Sequence, residues 1–349
     1  MSKKMKAAVL VDTGKIEIKE NDIPVIKDDE VLIKVKYAGV CGSDLHLFKG
    51  KHPFRKPPVV LGHEVVGDVV EIGKNVNEFK LGDKVTVEPH KGCGHCEYCE
   101  KGLVNLCLNK SAPGTGDWTG TFVEYFNAPD KYVHKVKDDA SYESAVLAEP
   151  AAVSIHALNR FENHGETLTI IGMGSIGLLA LKVAKSQNLY KNIICVDLDE
   201  FTLKEAKKNG ADYVINPSKE NMVEKVLSIT NNEGCENILL STGYPKILTE
   251  AGKIAKKRGQ IVLVAMITDD IPYYSYDLVF KELKLIGAMT YTSKDFEEAI
   301  ELINNDIGWE SFVTKKYPID ESQDALELLR DRTEDTVKIL IDMNLKWRG

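Results

Sequence analysis

The chain has 349 residues, more than one compact domain holds and enough for two. A hydrophobic fraction of 43% and a charged fraction of 28% are those of an ordinary globular protein, and no apolar run reaches the roughly eighteen residues of a membrane span. The net charge of −8 sets the surface against nucleic acid and anionic membrane; the opening MSKKMKAAVLVDTG lacks the apolar run of a signal peptide, so a cytoplasmic location is expected.

From Met5 to about Tyr142 the sequence is strand-and-turn material. EVLIKVKYAGV and EVVGDVVEIG are β-branched runs broken by glycine and charged turns, and no helical period is sustained. This part reads as an irregular, barrel-like β domain. From Thr167 onward apolar strands alternate with helical stretches. TLTIIG precedes SIGLLALKVAKSQN, NIICVDLD precedes EFTLKEAKKNG, and DYVIN precedes KENMVEKVLSITNN. NILLST then precedes a helix over KILTEAGKIAKK, QIVLVAM follows, and LKLIGAM makes the last strand. Such alternation indicates βαβ units on a parallel sheet, hence an α/β fold. At the end, KDFEEAIELINN and DESQDALELLRD have amphipathic helical spacing and TVKILIDM reads as a strand.

Three groups of residues carry chemistry. TLTIIGMGSIG places Gly172, Gly174 and Gly177 directly after a strand, at the opening of a helix. The first glycine permits the tight turn, the second admits a pyrophosphate against the backbone, and the third lets helix and strand pack closely. Asp197 ends the next strand, twenty residues beyond Gly177, where a carboxylate binds ribose hydroxyls and repels a 2′-phosphate. NAD is therefore expected over NADP, with Gly172, Gly174, Ile176, Gly177 and Asp197 around it. Asp199 is the expected cap of the following helix.

The second group is the loop CGHCEYCEKGLVNLC, in which Cys93, Cys96, Cys99 and Cys107 have the spacing C-x2-C-x2-C-x7-C. Clustered thiols in a reducing compartment are metal ligands before they are disulfides, and four thiolates close a tetrahedral zinc shell completely. Such an ion holds a loop in shape and has no open position for chemistry. Four thiolates also serve iron–sulfur clusters. His90 and His95 lie nearby but are not needed as ligands.

The third group is scattered. Cys41, His63 and Glu149 sit in the phrases GVCGSDLH, VLGHEVVG and LAEPAAV. Cysteine, histidine and a carboxylate satisfy a catalytic zinc with one exchangeable position. Read alone, each also fits a plain role as a buried thiol or a turn residue.

Taken together, CGSDLH, GHE, the four-cysteine loop, AEP and GMGSIG with Asp197 resemble a zinc-containing medium-chain dehydrogenase/reductase. The branch is that of the sorbitol (polyol) and threonine dehydrogenases, and the likeness runs over essentially the whole chain. It implies a GroES-like catalytic domain over 1–145, a Rossmann domain over 146–288, and a segment 289–349 that rejoins the catalytic domain. It also implies two zinc ions per chain, zinc and not iron–sulfur in the four-cysteine loop, and a homodimer or homotetramer. Cys41 and His63 become ligands of a catalytic zinc, Glu64 or Glu149 supplies the carboxylate and the two exchange, and Asp44 orients the histidine. The implied reaction passes hydride from a zinc-activated secondary alcohol to NAD, with Ser43 accepting the hydroxyl proton and His46 passing it to solvent.

Against the sorbitol pattern, Leu47 stands where a pocket tyrosine is expected. In Gly287-Ala288-Met289-Thr290-Tyr291 the tyrosine is kept, but Thr290 replaces an arginine, and Thr202 replaces another after Asp197. Two partners for a polyol are thus missing, so a sugar acid, sugar phosphate or simple secondary alcohol stays open beside a polyol. Arg55 and Lys56 in HPFRKPP could meet an anionic substrate, or form a solvated basic loop. An L-threonine 3-dehydrogenase fits the same phrases. A zinc module for nucleic acid runs against the acidic charge, and a zinc-free quinone reductase leaves the cysteines unexplained.

Overall fold

The computed structural model describes residues 3–116, 118–267, 269–305 and 308–346. The chain divides into two compact units, Met1–Glu149 with Thr292–Gly349, and Pro150–Tyr291. No helix among the described residues is long and apolar enough to cross a membrane.

The second unit is built on six parallel strands. Across the sheet they run Tyr213–Ile215, Asn192–Val196, Thr167–Ile171, Cys235–Leu240, Ala255–Leu263, Lys284–Gly287. The central strands are nearly continuous apolar runs, buried at successive positions and hence on both faces, which leaves no solvent face to alternate with. The order reverses beside Thr167–Ile171, and the glycine turn leaves the sheet at that carboxyl end, the usual ligand position of a doubly wound sheet. One expectation is corrected here. The helix over KILTEAGKIAKK stops at Ile254, and Ala255 already begins the next strand, with an extended ψ of 137 and pairing to Cys235. A register shift and Arg258 at φ 62 absorb the extra residues.

The first unit holds a three-stranded sheet and a seven-stranded one. The long strand Glu30–Val40 organises the latter, pairing with Glu64–Ile72, Lys338–Asp342 and Tyr125–Pro129. Its EVLIKVKYAGV sequence is buried at most positions, and its partners close over Val31, Ile33 and Val35. Here too the sequence reading is corrected, because a helix, Gly42–Phe48, follows this strand directly. Two turns are too short to show a period. What fixes the helix is its ends: Asp44 reaches back to the N–H of Cys41 (3.1 Å), and Leu47 and Phe48 are buried in the cluster that includes Leu326 and Leu328. Leu326 and Leu328 belong to the C-terminal helix Ser322–Asp331, so the chain's last residues help build this sheet and its cover.

Candidate active site

Cys41 stands where the strand Glu30–Val40 ends, and Glu64 opens the neighbouring strand, in register opposite Gly39. His63 precedes Glu64. The sheet register therefore gathers these three, and a sulfur, an imidazole nitrogen and a carboxylate oxygen lie within 4.8 Å of one another. Asp44 locks the arrangement from behind: one carboxylate oxygen accepts the N–H of Cys41 and the other that of Gly62 (3.2 Å), so both ligand-bearing backbones hang on one buried side chain. Its Oδ1 is also 3.8 Å from His63 Nδ1. Burial disfavours the charged imidazole of His63, yet Asp44, with Cys41 beside it, outweighs burial and holds its pKa well above the ordinary value.

The carboxylate is the decisive member. Glu64 is fully buried, with Oε1 on the ammonium of Lys338 at 2.5 Å and Oε2 without a hydrogen-bond partner among the described residues. A buried carboxylate oxygen left unpaired costs free energy unless something positive meets it, and it lies beside a thiol and an imidazole. That donor set suits zinc. Lys338 is itself buried. Burial alone would depress it, but Glu64, Cys41 and Glu149 together leave its pKa above the ordinary lysine value. Glu149, buried in the first turn of the helix Ala148–Asn159, is not grouped with the three ligand atoms, and its charge acts on Lys338.

Two residues essential to this geometry were not singled out in the sequence. One is Lys338. The other is Gly39, where a Cβ would stand 1.7 Å from Glu64 Oε2, so only glycine leaves room for the carboxylate. A glycine inside an apolar strand is a signal of close approach, and a lysine inside TVKILIDM is a signal of a buried partner. Neither says what the partner is.

Ser43 and His46 share one face of the helix Gly42–Phe48, three residues apart. Burial, with Lys49 and Lys51 next, lowers the pKa of His46, and its buried Nδ1 has no hydrogen-bond partner among the described residues. Leu47 points away into the core. Thr290 takes a left-handed φ of 46, costly for a β-branched residue, with its buried hydroxyl unpartnered among the described residues.

In the cysteine loop the four sulfurs also lie within 4.8 Å of one another. The backbone N–H of Cys93 points at Cys107 Sγ (3.3 Å) and that of Cys99 at Cys96, bonds that favour thiolates; Cys96 falls to about 6. His95 turns to the carbonyl of Cys93 instead.

In the second unit Gly172 has φ 99 and Gly177 packs so closely that a Cβ would meet the Gly172 carbonyl at 1.9 Å. A Cβ on Gly174, the N-cap of Ser175–Ser186, would project into open space, which leaves the helix N-terminus free for a phosphate. Ile176 sits in that first turn, and its carbonyl accepts from Ser154. Asp197 accepts the N–H groups of Met173 (2.5 Å) and Asp199 (3.0 Å), which fixes its carboxylate beside the glycine turn. Asp199 caps the helix Glu200–Lys208 through Phe201 N–H, and Thr202 turns back onto the Asp199 carbonyl.

Comparison with known proteins defines the class. Residues 27–138 match the alcohol dehydrogenase GroES-like domain, and residues 175–305 match the zinc-binding dehydrogenase family. The sorbitol dehydrogenase of Bacillus subtilis (strain 168) is 35% identical over 97% of this chain and 98% of its own. The D-arabitol-phosphate dehydrogenase of Enterococcus avium is 34% identical over 99% of both. A crystal structure of an Escherichia coli oxidoreductase/dehydrogenase of unknown specificity superposes with a TM-score of 0.91 at 32% identity, over 97% of this chain and 99% of that one. The chain belongs to the zinc-containing medium-chain alcohol dehydrogenase superfamily, in its family of NAD(P)-dependent alcohol and polyol dehydrogenases.

Proposed function

We propose that this protein oxidises a secondary alcohol of a polyol or polyol derivative to the ketone, with NAD as hydride acceptor. In this reading Cys41, His63 and Glu64 hold a catalytic zinc, and Cys93, Cys96, Cys99 and Cys107 a structural one. The observation that carries it is the unpaired buried Oε2 of Glu64 beside the Cys41 thiol and the His63 imidazole. A zinc ion bound there supplies Lewis acidity that lowers the pKa of a substrate hydroxyl.

The remaining work falls to side chains. Ser43 takes the hydroxyl proton and His46 passes it to solvent; its lowered pKa keeps the ring neutral and able to accept at pH 7. Asp44 keeps Cys41 and His63 in place through the backbone. The charge of Glu149 acts on the same lysine that Glu64 pairs with, so the two carboxylates can trade Lys338 while one of them reaches the metal. Asp197 favours NAD, since its carboxylate repels a 2′-phosphate and Thr202 offers no cation.

Initial rates with NAD and with NADP over polyols, simple secondary alcohols and L-threonine test the reading. Reduction of NAD by a polyol-type alcohol, faster than of NADP, is expected. Turnover of L-threonine above every polyol would move the assignment to a threonine dehydrogenase.

A further inference from the structure

The loop between the helix Gly42–Phe48 and the strand Val59–Val60 holds two side chains that the chemistry above leaves unused, His52 and Arg55. His52 Nδ1 accepts the backbone N–H groups of Phe54 (3.2 Å) and Arg55 (3.0 Å), so this nitrogen carries a lone pair. Burial, with the Arg55 charge next, pushes His52 down to about 4, and the ring is neutral at pH 7. A neutral imidazole with its lone pair at Nδ1 has its proton at Nε2. The Nε–H of Arg55 is aimed at that same Nε2 (3.4 Å) and Nη2 stands 3.3 Å from it, so the guanidinium meets a ring nitrogen that cannot accept while Nδ1 holds the lone pair. Apart from Nη1, whose hydrogen the Pro113 carbonyl accepts, the guanidinium and the ring N–H thus present donors to one another, an arrangement an oxyanion relieves.

The guanidinium is also held in place. Its Nη1 donates to the Pro113 carbonyl (3.2 Å) and packs over Gly114, where a Cβ would lie 3.6 Å from it. Arg55 is half-buried, whereas Lys56 beside it is exposed. The pair lies within electrostatic reach of the metal ligands: the charge of Arg55 acts on Asp44, and His52 responds to Asp44, His46 and His63. Lys49 and Lys51 add positive charge around His46.

We propose that Arg55 and His52 form an oxyanion-binding subsite for the phosphate or carboxylate end of the substrate, whose hydroxyl-bearing carbon lies at Cys41, His63 and Glu64. The substrate class is then an anionic polyol, either a polyol phosphate or a sugar acid. The inference rests on the dehydrogenase reading and narrows it. A planar guanidinium beside an N–H donor suits either group, because both present two oxygens in one plane.

Two measurements test it. Calorimetric titration of the zinc-loaded protein with inorganic phosphate, with NAD saturating so that the glycine turn is filled, reads the subsite without turnover. Wild type is expected to bind phosphate and Arg55→Gln to bind it at least about tenfold more weakly. Initial rates then compare each neutral polyol with its phosphate and with its aldonate. In Arg55→Gln the kcat/KM ratio of anionic over neutral substrate is expected to fall about thirtyfold, mostly through KM, with Arg55→Lys in between. The larger fall with phosphate assigns a polyol phosphate, and with aldonate a sugar acid. Lys56→Gln, which removes the same charge from an exposed position, is expected to move the ratio less than about threefold. Equal falls in Arg55→Gln and Lys56→Gln would overturn the subsite. So would turnover of neutral alcohols without phosphate binding, which leaves the dehydrogenase reading standing. Phosphate binding that Arg55→Gln abolishes, with no alcohol oxidised, would keep the subsite and remove the dehydrogenase reading. Zinc content checks that each variant is folded.

Discussion

The two candidate metal sites among the described residues are built in opposite ways. The four-cysteine loop spans residues 93–107, offers four sulfurs, and takes its helix Glu97–Glu100 and its N–H···S bonds from the same short stretch. The Cys41–His63–Glu64 group is assembled by sheet register and depends on Gly39 for space, Asp44 for backbone position and Lys338, 274 residues from Glu64, for charge. A closed, local shell stabilises a loop. An open one needs distant parts of the fold to hold it, and it keeps an oxygen unpaired for a ligand.

That contrast can be broken from either side. The largest effect is expected for Cys41→Ala, which removes a ligand from the open group: kcat/KM falls by about a thousandfold or more while NAD binding, read by fluorescence titration, is retained. Cys99→Ser should do the reverse in kind, lowering the thermal midpoint while part of the activity survives at low temperature. If Cys99→Ser removed turnover as fully as Cys41→Ala without unfolding the protein, the division of labour would be wrong.

Lys338→Met leaves Glu64 buried without its cation. A loss of about 3 kcal/mol in urea unfolding of the zinc-free protein is expected, because breaking a buried pair strands the remaining charge. Recovery of most of that loss in Lys338→Met/Glu64→Gln would show that the pair itself is responsible. A smaller change follows from Gly39→Ala, whose methyl displaces Glu64 Oε2. Zinc affinity of the open group should weaken by about 10- to 100-fold in competition with a chelating dye, and the cysteine loop should keep its ion.

The smallest effect concerns pH. His63 is held above its ordinary pKa and must lose a proton to bind a metal, so proton and ion compete. On its account zinc affinity should fall about tenfold per unit once the pH drops below the His63 value. For the metal-free fold the sign is opposite: the raised pKa stabilises fully below the unfolded value, and this is lost as pH rises through the folded one. Asp44→Asn takes away the charge that retains the proton and should shift the onset of zinc loss to lower pH. An unchanged onset would separate Asp44 from the His63 proton.

Much of this was readable from the residues in order. The cysteine loop declares itself because all its ligands fall within one turn-rich stretch, and the glycine turn with Asp197 does so because strand, glycines, helix and acid come in sequence. Asp199 was likewise legible as a cap. The open site was legible only in pieces. Cys41 and His63 could be marked, but the choice of carboxylate depends on which strand lies beside Glu30–Val40, and no local spacing records that register. Lys338 and Gly39 fall to the same cause. The helix Gly42–Phe48 escaped because its stability comes from Asp44 and from burial against a segment nearly three hundred residues on, which no seven-residue pattern carries.

Zinc counted per chain in matched preparations reaches furthest into this account. The wild type should hold two ions, Cys41→Ala one, and Cys99→Ser one, with the ion left in Cys41→Ala coordinated by sulfur alone in X-ray absorption. Two ions in Cys41→Ala, or an ion bound by nitrogen and oxygen persisting there, would mean that Cys41, His63 and Glu64 are not the metal centre.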